Sequence, residues 1–123
     1  MMTNDREGSV VLAGKTFRAV ANSSSGTINT ETTMTFVAAD DRGIRGVYGG
    51  GTIRAGQVIA WRKDASTIEM LYQCVTISDE LKAGRALARF SLGPDQALRM
   101  HLDWQWLTGD RSGGASEWIL EAP

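Results

Sequence analysis

The amino-acid sequence predicts an all-β domain, and in particular an up-and-down antiparallel barrel of about eight strands. The clearest observation is a strict alternation from Leu98 to Trp106, where apolar side chains occupy the even positions and polar side chains the odd positions. This period of two is typical of a strand with one buried and one solvated face. Similar but less regular stretches recur along the chain at a spacing of roughly ten residues. Fourteen glycines against two prolines suit many tight turns.

The first part of the chain is predicted to form three strands. β-Branched residues favour a strand over a helix around Met34 and Phe36, which share one face of the second strand. Three consecutive glycines, Gly49 to Gly51, lie inside the third strand and predict a sharp bend or a bulge there. The elements predicted here, in order, are a strand at Lys15–Asn22, a turn at Asn22–Gly26, a strand at Thr27–Ala39, a hairpin turn at Asp40–Gly43 and a strand at Ile44–Ile53.

In the second part, only the segment from Ser78 to Leu92 is ambiguous. Ser78 can cap a helix with apolar residues at helical spacing, or the segment can be a turn over Ser78–Ala83 followed by a strand over Gly84–Leu92. We favour the turn and strand, because a glycine at position 84 disfavours a helix. The other predicted elements are a turn at Arg54–Gly56, a strand at Gln57–Arg62, a turn at Lys63–Ser66, a strand at Thr67–Ile77, a turn at Gly93–Asp95, a strand at Ala97–Leu107, a loop at Thr108–Gly114 and a strand at Ala115–Glu121.

Short connections between consecutive strands predict a meander that closes on itself. Closure of about eight strands removes the exposed sheet edges and leaves an interior that holds side chains or one small ligand. A two-sheet sandwich is the competing way to close the same strands. The chain length of 123 residues corresponds to one domain. We expect an N-terminal lead-in over residues 1–14 and a single barrel domain over residues 15–123.

Composition excludes several classes of function. A net charge of −1 gives no reason to expect binding to nucleic acid or to an anionic membrane surface. No window approaches the roughly 18 apolar residues of a membrane helix, and the start of the chain lacks a secretory apolar run, so we expect a soluble, cytoplasmic protein. The single cysteine, Cys74, cannot form an internal disulfide and is predicted to be a reduced core residue. No cluster of His, Cys or acidic residues has the spacing of a metal site, and we expect no cofactor.

The candidate ligand-binding residues are mainly aromatic. If the barrel closes, several rings converge on its interior, and an aromatic cavity with a few polar groups is the usual form of a small-molecule site. Alternatively, the rings simply fill the barrel. Arg89 either projects inward to bind a ligand carboxylate or pairs across strands with Asp103, Glu117 or Glu121. The candidate residues are Tyr48, Trp61, Tyr72, Arg89, Trp104 and Trp106.

No catalytic residue is assigned from the sequence. His101 and Asp103 share a strand face and are a candidate general-base pair, but their neighbours Arg99 and Gln105 fit a solvated outer face. That polar face is also a candidate surface for a homodimer. No catalytic triad, nucleophile elbow or phosphate-binding loop is present. The leading hypothesis is a small-molecule-binding barrel; the alternatives are an interaction module with a fully packed barrel and an enzyme with a site at the barrel mouth that uses His101 or Tyr72.

Three stretches resemble a small bacterial family of single-domain proteins that are often labelled N-acetylglutamate synthase. They are Asn22–Gly26, Gly46–Ile53 and Trp104–Ser116, and the resemblance spans Lys15 to Glu121. Acyl-CoA acetyltransferases hold a pyrophosphate at the N-terminus of a helix that follows a glycine loop. The glycine cluster of this chain is not followed by a helical pattern, so we do not expect acetyl transfer.

A more remote resemblance is to the avidin and lipocalin-like barrels. Gly46-Val47-Tyr48 is similar to the Gly-x-Tyr of the second avidin strand. Gln105-Trp106-Leu107, followed by Thr108-Gly109, is similar to the Gln-Trp-Leu stretch of the seventh. The resemblance implies a lipocalin/streptavidin-like architecture in which Tyr48 and Trp106 line the ligand cavity. It implies the architecture more than the ligand.

Overall fold

The computed structural model of the protein describes residues 10–22 and 29–121. These residues form eight antiparallel strands that pair in sequence order into a closed barrel. The barrel closes where the first strand pairs with the last, for example at Phe17 and Leu120. The strands are β1 (Thr16–Asn22), β2 (Thr33–Asp40), β3 (Gly43–Gly50), β4 (Ile53–Asp64), β5 (Thr67–Thr76), β6 (Leu81–Leu92), β7 (Leu98–Trp106) and β8 (Gly113–Leu120). The all-β barrel is therefore confirmed, and the sandwich alternative is wrong.

Most predicted elements agree with the structure. The segment from Leu81 to Leu92 is strand β6, so the strand interpretation is confirmed and the helix is wrong. The hairpin turn before Gly43 is confirmed, with the Asp40 carboxylate accepting a hydrogen bond from the Arg42 amide at 2.9 Å. The second strand begins at Thr33, later than predicted. Of the predicted turn at Asn22–Gly26, Asn22 ends β1 and the remaining residues lie outside those described.

The prediction for the triple glycine is confirmed in part, because the strand register shifts between Tyr48 and Gly50, as at a bulge, but the three glycines do not lie inside one strand. Gly49 to Gly51 do not bend one strand; they end β3 and turn the chain into β4. Gly50 and Gly51 have φ angles of 101° and 63°, a region in which side-chain-bearing residues are strained. The predicted turn over Arg54–Gly56 is wrong, because the reversal has already taken place and those residues are part of β4.

The barrel interior has two chemically different ends. At one end, which we call the phenylalanine end, Phe17, Phe36 and Phe90 meet with ring centroids 5.7 to 6.5 Å apart. Leu12, only 1% exposed, belongs to the same core. The Val10 backbone N–H donates a hydrogen bond to the Ala65 carbonyl at 3.0 Å, so the segment before β1 packs against this end.

The opposite end of the interior we call the tyrosine–tryptophan end. It lies beside the connections β3–β4, β5–β6 and β7–β8, at residues 51–52, 77–80 and 107–112. Inward-facing residues between the two ends are small or aliphatic, among them Val58, Ala86 and Leu102. Within residues 10–22 and 29–121 the structure contains no helix long and apolar enough to cross a membrane.

Candidate functional site

Four of the six predicted site residues come together at the tyrosine–tryptophan end. Tyr48 of β3, Tyr72 of β5, and Trp104 and Trp106 of β7 point into the barrel. Their rings form a continuous row, with centroid distances of 6.2 Å from Tyr48 to Tyr72, 5.6 Å from Tyr72 to Trp106 and 6.0 Å from Trp106 to Trp104. The interplanar angles of 58° to 80° are favourable tilted and edge-to-face contacts. Together the rings provide an aromatic wall at this end.

Two glycines decide how the tyrosine rings lie. Gly56 is the cross-strand partner of Tyr48, and Gly84 is the partner of Tyr72. A Cβ atom at either glycine would come within 2.5 Å of the facing ring. Each tyrosine therefore lies against bare backbone on the neighbouring strand, an arrangement in which an aromatic ring covers a glycine in a sheet. This keeps the rings along the wall, because a larger partner would push them toward the barrel axis.

Two polar atoms of this aromatic wall are buried without a partner. The Tyr48 hydroxyl and the Trp106 Nε1–H have no hydrogen-bond partner in the described part of the chain, and the two residues are only 6% and 5% exposed. The indole of Trp118 differs, because its Nε1–H donates to the Ser116 hydroxyl at 2.9 Å. A buried donor without an acceptor costs about 1–3 kcal/mol. The site therefore lacks hydrogen-bond acceptors for two of its own groups.

Both tyrosines remain protonated in ordinary solution. Burial raises the pKa of Tyr48 far above its usual value, and the neighbouring Cys74 thiol raises it further. Burial also raises the pKa of Tyr72, again with a contribution from Cys74. The Tyr48 hydroxyl lies beside that thiol, a weak hydrogen-bonding group, and has no stronger partner among the described residues. The tyrosine hydroxyls therefore serve as hydrogen-bond donors and not as anionic bases.

The remaining polar groups around the site are hydroxyls and the charged residues at this end of the barrel, where Lys82 helps to lower the pKa of the Asp110 carboxyl. The buried polar residues of the described chain are Thr32, Thr76 and Ser116, and none carries a charge. The Thr32 hydroxyl donates to the Gly50 carbonyl at 3.0 Å. Lys82, at the start of β6, places its Nζ 4.3 Å from the centroid of the Trp106 ring, a cation–π contact. A cation thus contacts the aromatic wall directly, with the Asp110 carboxylate in its neighbourhood.

Trp61 and Arg89 are not part of this site. Trp61 alternates with the inward-facing Ala60, so its ring lies outside the barrel, where its indole donates to Glu69 at 3.0 Å. Arg89 lies between the inward-facing Ala88 and Phe90 and forms an ion pair of 2.9 Å with Asp103 on the outer surface. The expectation that both residues line the interior is corrected, since the strand period puts them on the opposite face. For Arg89, the cross-strand ion pair is the alternative that the structure shows.

The predicted His101–Asp103 pair also lies outside the barrel. His101 Nε2 is 3.2 Å from the Asp103 carboxylate, and its Nδ1 is bonded to Glu117 on β8. The hydrogen bond to Glu117 raises the pKa of His101, and burial acts in the opposite direction. No group of His, Cys, Asp and Glu residues suited to a metal ion occurs within the described residues. His101 therefore belongs to an outer network of charges.

Sequence reasoning missed Lys82 and the structural role of the two glycines. Lys82 precedes the regular alternation of β6, so nothing in the sequence links it to a tryptophan 24 positions later. Gly84 was visible only as an argument against a helix. The pairing of each glycine with one tyrosine depends on strand register, which two neighbouring strands must fix together.

Comparison with known protein families agrees with this geometry. A family described as avidin-like protein matches residues 10–120. The chain belongs to the avidin-like family. The matched residues of this avidin-like barrel include all eight strands, and therefore both β1 and β8, which pair to close it. No curated protein and no solved structure gives a significant match to it.

Proposed function

We propose that the protein binds a small molecule at the tyrosine–tryptophan end of its barrel. The observation that carries this proposal is the pair of buried, unpartnered donors on Tyr48 and Trp106. Domains are stable by only about 5–15 kcal/mol, so two such groups are a substantial cost for the unliganded protein. A ligand that supplies acceptor oxygens removes this cost on binding. Membership in the avidin-like family independently supports a small-molecule-binding barrel.

The chemistry of the wall narrows the ligand class. The row of rings favours a flat or bicyclic ring system that packs against them. The Trp106 indole is a donor only, and the Tyr48 pKa keeps its hydroxyl protonated, so the ligand needs a carbonyl or carboxylate oxygen near each. Lys82, which contacts the Trp106 ring, places a cation where a carboxylate group of a ligand against that ring can interact with it. A biotin-like molecule, which combines fused rings, a ureido carbonyl and a carboxylate, is the first compound to test.

Acetyl transfer is not part of the proposed function, whereas a cellular location is. The described residues contain strands and turns but no helix whose N-terminus would hold a pyrophosphate, so we do not propose acetyl transfer. We propose a cytoplasmic location, because Cys74 is a buried free thiol, the form that a reducing compartment maintains.

The test is a thermal-shift titration with biotin and with a panel of neutral, anionic and cationic ring compounds that carry carbonyl groups. A compound at 100 times its dissociation constant adds about 2.7 kcal/mol of stability. For a domain of this size the midpoint then rises by roughly 10 °C. Each compound that binds is then titrated into Trp106→Phe, which keeps a ring but removes the donor.

We expect Trp106→Phe to weaken binding about threefold to tenfold, because one hydrogen bond contributes about 0.5–1.5 kcal/mol. Trp61→Phe is the matched control, since its indole lies outside the barrel. The control should bind as tightly as the wild type. Compounds that bind Trp106→Phe and the wild type equally, or that are weakened only by Trp61→Phe, would place the ligand elsewhere.

A further inference from the structure

The segment before β1 crosses the phenylalanine end of the barrel without belonging to the sheet. We define the strap as residues 10–15, an irregular stretch with one turn that precedes the first strand. Only one of its large apolar side chains enters the barrel: Leu12 is 1% exposed, whereas its neighbour Val11 is 64% exposed. Leu12 belongs to the same core as the three phenylalanine rings. This end of the barrel is therefore filled by one apolar side chain that comes from outside the sheet.

The hydrogen bonds that join the strap to the strands lie at its two ends. At the first end, the Val10 N–H donates to the Ala65 carbonyl at 3.0 Å, and the Arg62 guanidinium donates to the Val10 carbonyl at 2.8 Å. At the other end, the Gly14 N–H donates to the Phe36 carbonyl at 2.7 Å, and the Phe36 N–H donates to the carbonyl of the next strap residue at 3.0 Å. The strap is thus attached to the β4–β5 hairpin on one side and to β2 on the other.

This attachment is weaker than the pairing of the strands. Each strand is hydrogen-bonded to two neighbours, so the opening of a strand breaks many hydrogen bonds and exposes much apolar surface. Release of the strap breaks the bonds at its two ends and exposes one leucine side chain. It also returns to the strap the conformational freedom that an irregular segment loses when it is ordered. We therefore expect the strap to open while the barrel stays folded.

The space that Leu12 would vacate is apolar. The buried polar residues of the described chain, Thr32, Thr76 and Ser116, lie at the other end or in the middle of the barrel. An apolar space without polar partners holds an apolar molecule in preference to water. The matching ligand is small, uncharged and apolar, with about the bulk of a leucine side chain or a benzene ring. It differs from the ring compound with acceptor oxygens that suits the tyrosine–tryptophan end.

We propose that the phenylalanine end is a second binding site, for one small apolar molecule, and that Leu12 of the strap is its intramolecular competitor. With the strap closed, Leu12 occupies the site; with the strap open, the site is accessible. The affinity for the apolar molecule is then the intrinsic affinity multiplied by the fraction of open protein. While that fraction is small, any change that opens the strap raises the affinity by the same factor. This site does not depend on ligand binding at the tyrosine–tryptophan end.

Native-state hydrogen exchange of the wild-type protein tests the opening of the strap. The Val10 and Gly14 amides should exchange at rates nearly independent of urea below the unfolding transition, because release of the strap exposes little surface. The Phe90 amide, which donates to the Ser66 carbonyl at 2.8 Å, reports on the barrel at the same end. It should exchange at least about tenfold more slowly and with the urea dependence of global unfolding. Strap amides that share this urea dependence would overturn the proposal, since the strap would then not open by itself.

Arg62→Met tests the link between opening and binding, with benzene as the probe and NMR titration as the measurement. The variant keeps the aliphatic part of the side chain but loses the bond to the Val10 carbonyl. It should raise the exchange rate of the Gly14 amide and the affinity for benzene by the same factor, at least about threefold. Arg42→Met is the matched control, because Arg42 is an exposed arginine of the β2–β3 hairpin at the same end. It should leave both quantities unchanged.

Leu12→Ala removes the competitor itself and should bind benzene at least about tenfold more tightly than the wild type. Val11→Ala, at the exposed neighbouring position, should bind as the wild type does. Circular dichroism confirms that each variant is folded, and Arg62→Met decides the question if Leu12→Ala is not. In the wild type, benzene should speed the exchange of the strap amides without speeding that of Phe90. Equal affinity of Leu12→Ala and Val11→Ala overturns the proposal, as does a strap that Arg62→Met opens without a gain in affinity.

Discussion

Replacement of Tyr48 by Phe tests the central feature of the candidate site, the buried hydroxyl without a partner. The substitution removes one oxygen atom and keeps the ring. The ring keeps its packing against Gly56 and its edge-to-face contact with Tyr72, at a centroid distance of 6.2 Å. Removal of a polar group from a buried, mostly apolar environment is normally destabilising because a hydrogen bond is lost. Here the structure shows no such bond, so the sign should be reversed.

The expected change in the free energy of unfolding is the sum of two opposing contributions. Loss of the unsatisfied hydroxyl recovers part of a desolvation cost of about 1–3 kcal/mol. The vacated volume and the lost contact with the Cys74 thiol together cost roughly 0.5 kcal/mol. The unliganded Tyr48→Phe protein should therefore be more stable than the wild type by about 0.5–2 kcal/mol. Its thermal midpoint should rise by about 4 °C for each kcal/mol.

Urea titration at constant temperature provides the free energy of unfolding, and an unchanged slope with urea shows that both proteins unfold in the same way. Tyr72→Phe is the matched control, because Tyr72 belongs to the same row of rings but is partly exposed. Its stability should change by less than about 0.5 kcal/mol. If Tyr48→Phe is instead less stable by 1 kcal/mol or more, the hydroxyl already has a partner in the unliganded protein and does not require an acceptor from a ligand.

Two further predictions concern stability. Gly56→Ala should lower the free energy of unfolding by about 1–3 kcal/mol, because the added Cβ would lie 2.5 Å from the Tyr48 ring. Gly49→Ala is the control: the nearest neighbour of its Cβ would be 3.8 Å away, so its free energy of unfolding should change by less than about 0.5 kcal/mol in the same urea titration. Equal losses in the two variants would contradict the tight contact between Gly56 and the ring. His101→Gln should destabilise the protein by under about 1 kcal/mol at pH 5.5, and by less at pH 9. The hydrogen bond to Glu117 raises the pKa of His101 in the folded state. The stability that the protonated His101 contributes is therefore complete below the unfolded pKa near 6.5 and is lost as pH rises through the folded pKa. A difference in stability between the wild type and His101→Gln that grows as pH rises would contradict this prediction.

Local sequence patterns predicted the fold because each strand carries its own signal. The alternation from Leu98 to Trp106 corresponds residue for residue to β7, with Met100, Leu102 and Trp106 buried. The errors in the predicted elements occur where one residue type is compatible with two different local structures. The glycine triplet contains both a register shift, between Tyr48 and Gly50, and the hairpin turn, and only the pairing of Gly50 with Ile53 locates the turn. Such pairing depends on both strands at once.

The candidate site was predictable to the extent that its side chains are large and aromatic. Tyr48, Tyr72, Trp104 and Trp106 were expected inside, and the structure places them there. Trp61 has the same chemistry but lies outside, since an aromatic residue is equally suited to a core and to an interface. The unpartnered state of the Tyr48 hydroxyl could not be predicted, because it depends on every neighbouring element.

The sequence by itself determined which residues of each strand share a face, because the backbone of an extended chain alternates its side chains whatever surrounds it. Only the tertiary structure decided what each face meets. Closure of β1 on β8 encloses one set of side chains and exposes the other. The register between neighbouring strands then sets Tyr48 against Gly56, Arg89 near Asp103 and Ile59 beside Leu71. These contacts join residues far apart in the chain, so no local pattern specifies them.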